Sequence, residues 1–245
     1  MPYRRETMGR ETTGRIDLKA PTKWSELTAD QFRMVVKVSL LHLTESERLF
    51  VLLCQLTGIR RYADEDNKFV TDDGQDFRLK DYEVVDFCER LRWLIDTVPD
   101  VIPNPSKRDD YLRDMSFGDW FEADTQFRLY EDDHDLGHFD IILPKLGDEA
   151  HEIDEAEAIV LKLWWNYVMG LIGPMYTNVF AKNEGGGGSF NPFKNLQEMH
   201  LLLNDDRPQD NEKIDDARLH DVLSALDSKI EKLKRREAEL KKLKP

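Results

Sequence analysis

The residues best suited to chemistry form a cluster of acidic and histidine side chains at 131–138, with the sequence EDDHDLGH. His134 and His138 are four positions apart, so one helix face could hold both imidazoles around a metal ion. Gly137 weakens such a helix, and the neighbouring carboxylates favour protonated imidazoles, which cannot bind a metal. We therefore expect a solvated acidic loop here, and we keep a metal-dependent enzyme that uses His134 and His138 as an alternative.

A second motif, DEAH at 148–151, matches the acidic motif with which one class of helicases coordinates the metal of a bound nucleotide. Such enzymes also need a phosphate-binding loop of the form G-x-x-x-x-G-K-[ST], which this sequence lacks. The four glycines at 185–188 have no following lysine, and no G-x-S-x-G nucleophile motif is present. We therefore expect a protein that is not an enzyme and that uses no cofactor and no metal.

The clearest pattern is a leucine seam near the C-terminus, within a stretch from Ile214 to Lys244 that contains neither Gly nor Pro. Apolar residues recur there with the a/d spacing of a helix that packs against another helix. The seam consists of Leu219, Leu223, Leu226, Ile230, Leu233 and Leu240. Glu237 stands at an inner position near the end, and about three heptads are few for an independent coiled coil.

Three surfaces could cover this seam: the helix's own domain, a second copy of the chain, or a different protein. In the last two cases the six seam residues are the partner-binding residues. The end of the stretch is also basic, with lysines and arginines between 232 and 244, on a chain whose formal net charge is −14. Strong acidity elsewhere disfavours nucleic-acid binding, so any such contact would be confined to this basic tail.

Composition indicates a folded protein without membrane contact. With 245 residues, 40% of them hydrophobic, the chain can bury a substantial core in one or two domains. The apolar segment 158–172 is shorter than the roughly 20 residues that a spanning helix needs, and the N-terminus lacks the apolar core of a signal peptide. Cys54 and Cys88 are too few for a disulfide framework, and free thiols suit the cytoplasm, where we expect the protein.

Helix signals cover most of the remaining sequence and predict a mainly α-helical protein. Capping boxes at Thr28 and Thr44 should begin two helices, Gly58 is placed to end the second, and a third helix is expected over 81–96. The sequence Asp73-Gly74 between short apolar segments predicts a small two-stranded β-hairpin.

A cluster of prolines at 98–109 is the best candidate boundary between two parts of the chain. After it we expect an aromatic-rich helix around Trp120 and a helix within 155–180 that is buried on several sides. The segment 139–143 is compatible with a strand or with a helix. The predicted organisation is a flexible arm at 1–23, a helical hairpin with a β insert and a third helix at 24–97, a proline-rich linker at 98–109, a helical core domain at 110–204, and a hinge with a C-terminal amphipathic helix at 205–245.

The segment WSELTADQF at 24–32 resembles the opening of a group of uncharacterised helical proteins of Bacteroidetes phages and prophages, which carry a W-x-E-L-T-x-x-Q/E motif after a short arm. The segment FGDWFEAD at 117–124 is similar to an F-G-x-[FW]-[IV]-x-x-[DE] stretch of the same group, although Phe121 departs from the [IV] position. Such proteins tend to be encoded among tail-morphogenesis genes. The resemblance implies a tail-assembly chaperone or a minor structural protein, in the host cytoplasm or the virion, and it brings no catalytic residues.

These patterns together predict a non-enzymatic assembly or chaperone-type protein that docks a partner through its C-terminal helix. Two alternatives remain open at this point: a virion component held in a stable oligomer, and the metal-dependent enzyme that uses the loop at 131–138.

Overall fold

A computed structural model of the chain describes residues 18–180, 192–204 and 207–243. Most of the predicted arm at 1–23, and the glycines at 185–188, lie outside these residues. The described part is mainly helical, with a small antiparallel sheet and a long C-terminal helix, which confirms the predicted fold class. None of its helices is long and apolar enough to cross a membrane.

The chain divides into two compact units, Met1–Pro103 and Asn104–Pro245. The elements of unit 1 are α1 (Ala29–Leu40), α2 (Glu45–Thr57), β1 (Ile59–Arg61), β2 (Lys68–Thr71), β3 (Asp76–Arg78), α3 (Asp81–Arg90) and α4 (Trp93–Asp96). The elements of unit 2 are α5 (Phe117–Asp133), α6 (Phe139–Lys145), α7 (Glu155–Ile172), α8 (Pro192–Asn204), α9 (Asn211–Asp215) and α10 (Leu219–Leu243).

Unit 1 begins with the predicted helical hairpin, and both capping boxes are formed. The Thr28 side chain accepts a hydrogen bond from the third amide of α1, and Thr44 does the same at the start of α2. Gly58 ends α2 in the left-handed conformation, with φ of 67°, and its N–H donates to the Cys54 carbonyl. Local sequence chemistry therefore fixes both ends of α2.

The β insert is one strand larger than predicted. Strands β2 and β3 form the expected hairpin, with Phe69 opposite Phe77 and their rings stacked 5.7 Å apart. Strand β1 follows Gly58 directly and pairs with the other edge of β2, so that Ile59 lies opposite Thr71. The side chain of Ile59 is only 1% exposed, and its burial stabilises a strand whose other two residues are charged.

The predicted helix over 81–96 is interrupted. Helix α3 ends at Arg90 and the separate turn of α4 starts at Trp93, with a fully buried Leu91 between them. The Trp93 ring meets Trp24 edge to face, with the ring centroids 5.1 Å apart. The Trp24 indole N–H donates to Thr97 Oγ1 at 3.0 Å. Packing of large side chains thus breaks a helix that contains no Gly or Pro.

Unit 2 is built around α7, whose two tryptophans are at most 1% exposed. Their indole N–H groups are paired inside the core: Trp164 donates to Asp110 and Trp165 to Asp124, each at 3.1 Å. The Phe127 ring of α5 stacks on Trp165 at 4.9 Å. The ambiguous segment 139–143 is part of helix α6, and part of the predicted hinge before the C-terminal helix is the short helix α9.

Gly58→Ala should lower the free energy of unfolding by about 1–2 kcal/mol, because a side chain disfavours the left-handed conformation by that amount. The added Cβ would also come within 2.7 Å of the Asp72 carboxylate, which has to rotate away. Gly170→Ala is the opposite control: it lies in α7 with open space around it, and we expect a gain of about 0.5–1 kcal/mol. Urea unfolding measures the free energy of unfolding of both variants. An unchanged value for Gly58→Ala would show that this helix end tolerates a side chain.

Candidate interaction surface

Helix α10 is attached to unit 2 along its first half. Leu219, Leu223 and Leu226 are at most 1% exposed, and the helix packs against α5 and α8. Its start is held by a short antiparallel bridge, in which the Leu219 N–H donates to the Met115 carbonyl at 2.9 Å. We call residues 219–230 the docked segment.

Polar contacts add to this attachment near the middle of the helix. The Asp227 carboxylate accepts hydrogen bonds from the Asn178 backbone N–H at 2.7 Å and from the Val179 N–H at 3.3 Å. Burial opposes ionisation of Asp227, but a hydrogen bond from Asn178 Nδ2 at 3.1 Å, together with the two backbone hydrogen bonds, outweighs it and holds the pKa of Asp227 below its ordinary value. On the preceding turns, His220 Nε2 donates to the Tyr111 carbonyl at 2.5 Å. The docked segment is therefore held by apolar burial and by hydrogen bonds together.

The second half of α10 has a different environment, because every side chain from 231 to 242 is exposed. Leu233 is 43% exposed and Leu240 is 61% exposed, while Ile230 is half-buried. We call residues 231–242 the exposed segment. The leucine seam is thus divided: its first three members are covered by unit 2 itself and cannot meet a partner in this conformation. The partner-binding prediction remains for Ile230, Leu233 and Leu240.

Basic side chains flank the seam on both sides in this part of α10. Arg236 occupies a g position of the heptads, and Lys234 and Lys241 occupy e positions; Lys229, near the end of the docked segment, occupies the preceding g position. The Lys234 amine donates to Asn178 Oδ1 at 3.1 Å. Arg236 and Lys241 form no ion pair with any residue that the structure describes. The exposed segment therefore presents leucines between rows of positive charge.

Unit 2 also carries a groove of about 600 Å³ along one face of α5. Its lining includes three half-buried apolar side chains, Phe121, Leu129 and Leu196. Its charged residues are four carboxylates and one ammonium group, from Asp119, Glu122, Asp215, Asp216 and Lys145. Lys145 contacts Asp119 at 2.9 Å and Glu122 at 2.8 Å, so the set keeps a net negative charge. We call this feature the acidic groove.

The two histidines of the loop at 131–138 have different surroundings. His138 Nδ1 lies 2.7 Å from Gln126 Oε1, and Nε2 lies 3.0 Å from Asp133 Oδ2, so both ring nitrogens have partners. His134 ends α5 in the left-handed conformation and borders a cleft of about 450 Å³. Within the described ranges, no group of three or more His, Cys, Asp or Glu side chains is arranged to hold a metal ion. These contacts add no support for the metal-dependent alternative.

The DEAH motif at 148–151 contributes to the start of α7. His151 Nδ1 donates to the Glu149 carbonyl at 3.0 Å, and Nε2 lies 2.9 Å from Glu157 in the first turn of the helix. Asp154 caps the helix by accepting from the Glu157 N–H at 2.9 Å. The contacts of the motif histidine are therefore those of a helix entry.

Cys54 and Cys88 form no disulfide and are half-buried. Their side chains favour the protonated thiol over the thiolate. Burial, with a smaller contribution from Cys88, raises the pKa of Cys54 to about 11. Neither residue has the low pKa of a reactive nucleophile.

The two halves of the seam should respond differently to truncation. Leu226→Ala removes a side chain that is 1% exposed and should lower the free energy of unfolding by about 2–5 kcal/mol. Leu233→Ala makes the same chemical change at a position that is 43% exposed, and it should stay within about 0.5 kcal/mol of wild type. Urea unfolding compares them, and equal losses would mean that the exposed segment also packs on the protein.

His151→Gln should destabilise the protein at low pH only. The Glu149 carbonyl, and then the Glu157 carboxylate, raise the pKa of folded His151 above its ordinary value of 6.5, so the folded state favours the protonated ring. That stabilisation is fully present below the unfolded pKa and is lost as the pH rises through the folded pKa. Urea unfolding of the wild type and of His151→Gln, well below and well above pH 6.5, measures this loss of stability. A difference in unfolding free energy that does not change with pH would contradict the prediction.

Comparison with known proteins does not assign the chain to a family. No family model, no curated protein and no solved structure matches the chain. The functional interpretation therefore rests on the contacts, exposure and charges described above.

Proposed function

We propose that the protein is a non-enzymatic assembly or chaperone-type protein that binds a partner protein through the exposed segment of α10. One observation carries this proposal: a single continuous helix is buried along its first half and exposed along its second half. The same seam of apolar residues runs through both halves. Leu226 is buried in unit 2, whereas Leu233 and Leu240 are exposed and can contact another protein.

The docked segment prepares the exposed segment for binding. A free peptide of about a dozen residues is marginally helical in water, because the first turn is costly to form. Here the turns up to Ile230 already exist, held by Leu219, Leu223 and Leu226. The exposed segment only extends that helix, so a partner would not have to supply the full ordering cost.

The apolar content of the segment suits a reversible complex. Leu233 is 43% exposed and Leu240 is 61% exposed, so burying what remains would contribute about 1 kcal/mol each before the costs of association are subtracted. The flanking lysines and arginines would steer a negatively charged partner and favour its correct orientation. A contact of this size can form and separate, which an assembly factor has to do.

The biological setting of the proposal comes from the resemblance of 24–32 and 117–124 to phage and prophage proteins. It suggests tail assembly, in the host cytoplasm or on the growing virion. A permanent virion component would use the same segment in a stable oligomer.

A photo-crosslinking amino acid in place of Leu240 should form an adduct with a protein partner in cells that produce the chain. The adduct should be lost when Leu233→Asp is added, because the carboxylate removes the neighbouring apolar contact without disturbing the docked segment. The same probe at Tyr82 is the matched control, since that side chain is 64% exposed but lies in unit 1. Absence of an adduct at position 240, or equal adducts at both positions, would exclude the proposed function.

A further inference from the structure

The exposed segment is poorly suited to pair with the same segment of a second copy. In a parallel pair the residue at g faces the next e position of the other helix, so Arg236 of one exposed segment would face Lys241 of the other. An antiparallel pair sets g against g and e against e, which again brings positive charges together. Glu237 at an inner position interrupts the apolar contact further. A surface that places carboxylates opposite the basic flanks is therefore better suited to cover this segment than a second copy of the segment.

The acidic groove of unit 2 has the complementary chemistry. Its apolar side chains could receive leucines, and its carboxylates match the basic residues on both flanks of the seam. Asp216 is exposed and follows the last residue of α9. Its carboxylate forms no ion pair with a residue that the structure describes. Asp215 accepts a hydrogen bond from the ring of His200 at 2.7 Å and stays in the lining of the groove.

The exposed segment cannot reach the groove of its own molecule. Asp215 and Asp216 lie four and three residues before the first residue of α10, so this end of the groove lies near the start of the helix. An α-helix rises 1.5 Å per residue, which places Leu233 about 20 Å and Leu240 about 30 Å beyond Leu219 along the axis. Because α10 is continuous to Leu243, it does not turn back towards its own first residue.

We propose that the exposed segment of one copy binds in the acidic groove of a second copy, so that the chain associates head to tail. This inference rests on the proposed function, because it names the partner of the exposed segment. The two contact surfaces are different, so the interface is heterologous, and repeated addition gives a ring or an open filament. Because charge complementarity contributes to the contact, salt should weaken it.

The test uses the full chain and two charge variants. Arg236→Glu with Lys241→Glu alters the exposed segment, and its control is Lys232→Glu with Lys242→Glu, which makes the same charge change on the other face of that helix. Glu122→Gln with Asp216→Lys alters the groove, and its control is Glu149→Gln with Glu152→Lys, at exposed positions outside it. Circular dichroism melting checks that all four variants are folded.

Sedimentation equilibrium should show that the wild-type mass rises with concentration past that of a dimer at low salt. It should fall towards the 28.7 kDa of one chain at about 1 M salt, where the Debye length is about 3 Å. Each interface variant should associate at least tenfold more weakly than its control. A mixture of the two interface variants should form a 1:1 dimer and nothing larger, because it has one intact helix surface and one intact groove per pair.

Other outcomes overturn the inference and separate it from the proposed function. Assembly of the groove variant equal to that of its control would indicate pairing between exposed segments. A wild-type chain that stays monomeric at all concentrations excludes self-association. If that monomer still crosslinks to a different protein through position 240, the proposed function stands and only the head-to-tail inference fails. If no protein is crosslinked at all, both fail.

Discussion

A continuous helix that is held along only part of its length imposes the main constraint on unit 2. Burial of Leu219, Leu223 and Leu226 fixes the direction of α10, and the hydrogen bonds to Asp227 fix its rotation about its own axis. The remaining turns have to follow, because each backbone N–H is bonded to the carbonyl four residues earlier. The position of the exposed segment is therefore decided by contacts that lie outside it, and a substitution at Asp227 would act on Leu240 through the helix.

Charge distribution decides which surfaces this segment can meet. The chain as a whole has a net charge of −14, yet the exposed segment is basic on both flanks of its apolar seam. Such a segment repels its own copies and is attracted to most of the remaining surface of the protein. Attraction alone is not specific, because it falls with ionic strength and has no register. The leucines have to supply the register, since they can be buried only where an apolar depression accepts them.

Local signals in the sequence were sufficient for the helix ends of unit 1 but not for elements that depend on distant contacts. Thr28, Thr44 and Gly58 act on backbone groups within four residues, so their roles follow from the sequence. Strand β1 was missed because its three residues include two arginines, and it exists through pairing with β2. The interruption after Arg90 also depends on distant contacts, because it accompanies the burial of Leu91. The local sequence therefore did not predict it.

The leucine seam shows where such prediction ends. The spacing identifies a helix face that has to be covered, but spacing is identical in the docked and exposed segments. What separates Leu226 from Leu233 is the supply of neighbours: α10 packs against α5 and α8, and this packing leaves Leu226 1% exposed but Leu233 43% exposed. The acidic groove could not be predicted from the sequence either, because the residues that line it come from α5, α6, α8 and α9. In the proposed head-to-tail association, the helix surface at one end of α10 and the groove near its other end would give the same rotation and translation between each pair of successive copies. Whether that operation closes into a ring depends on the direction of α10, which the docked segment sets.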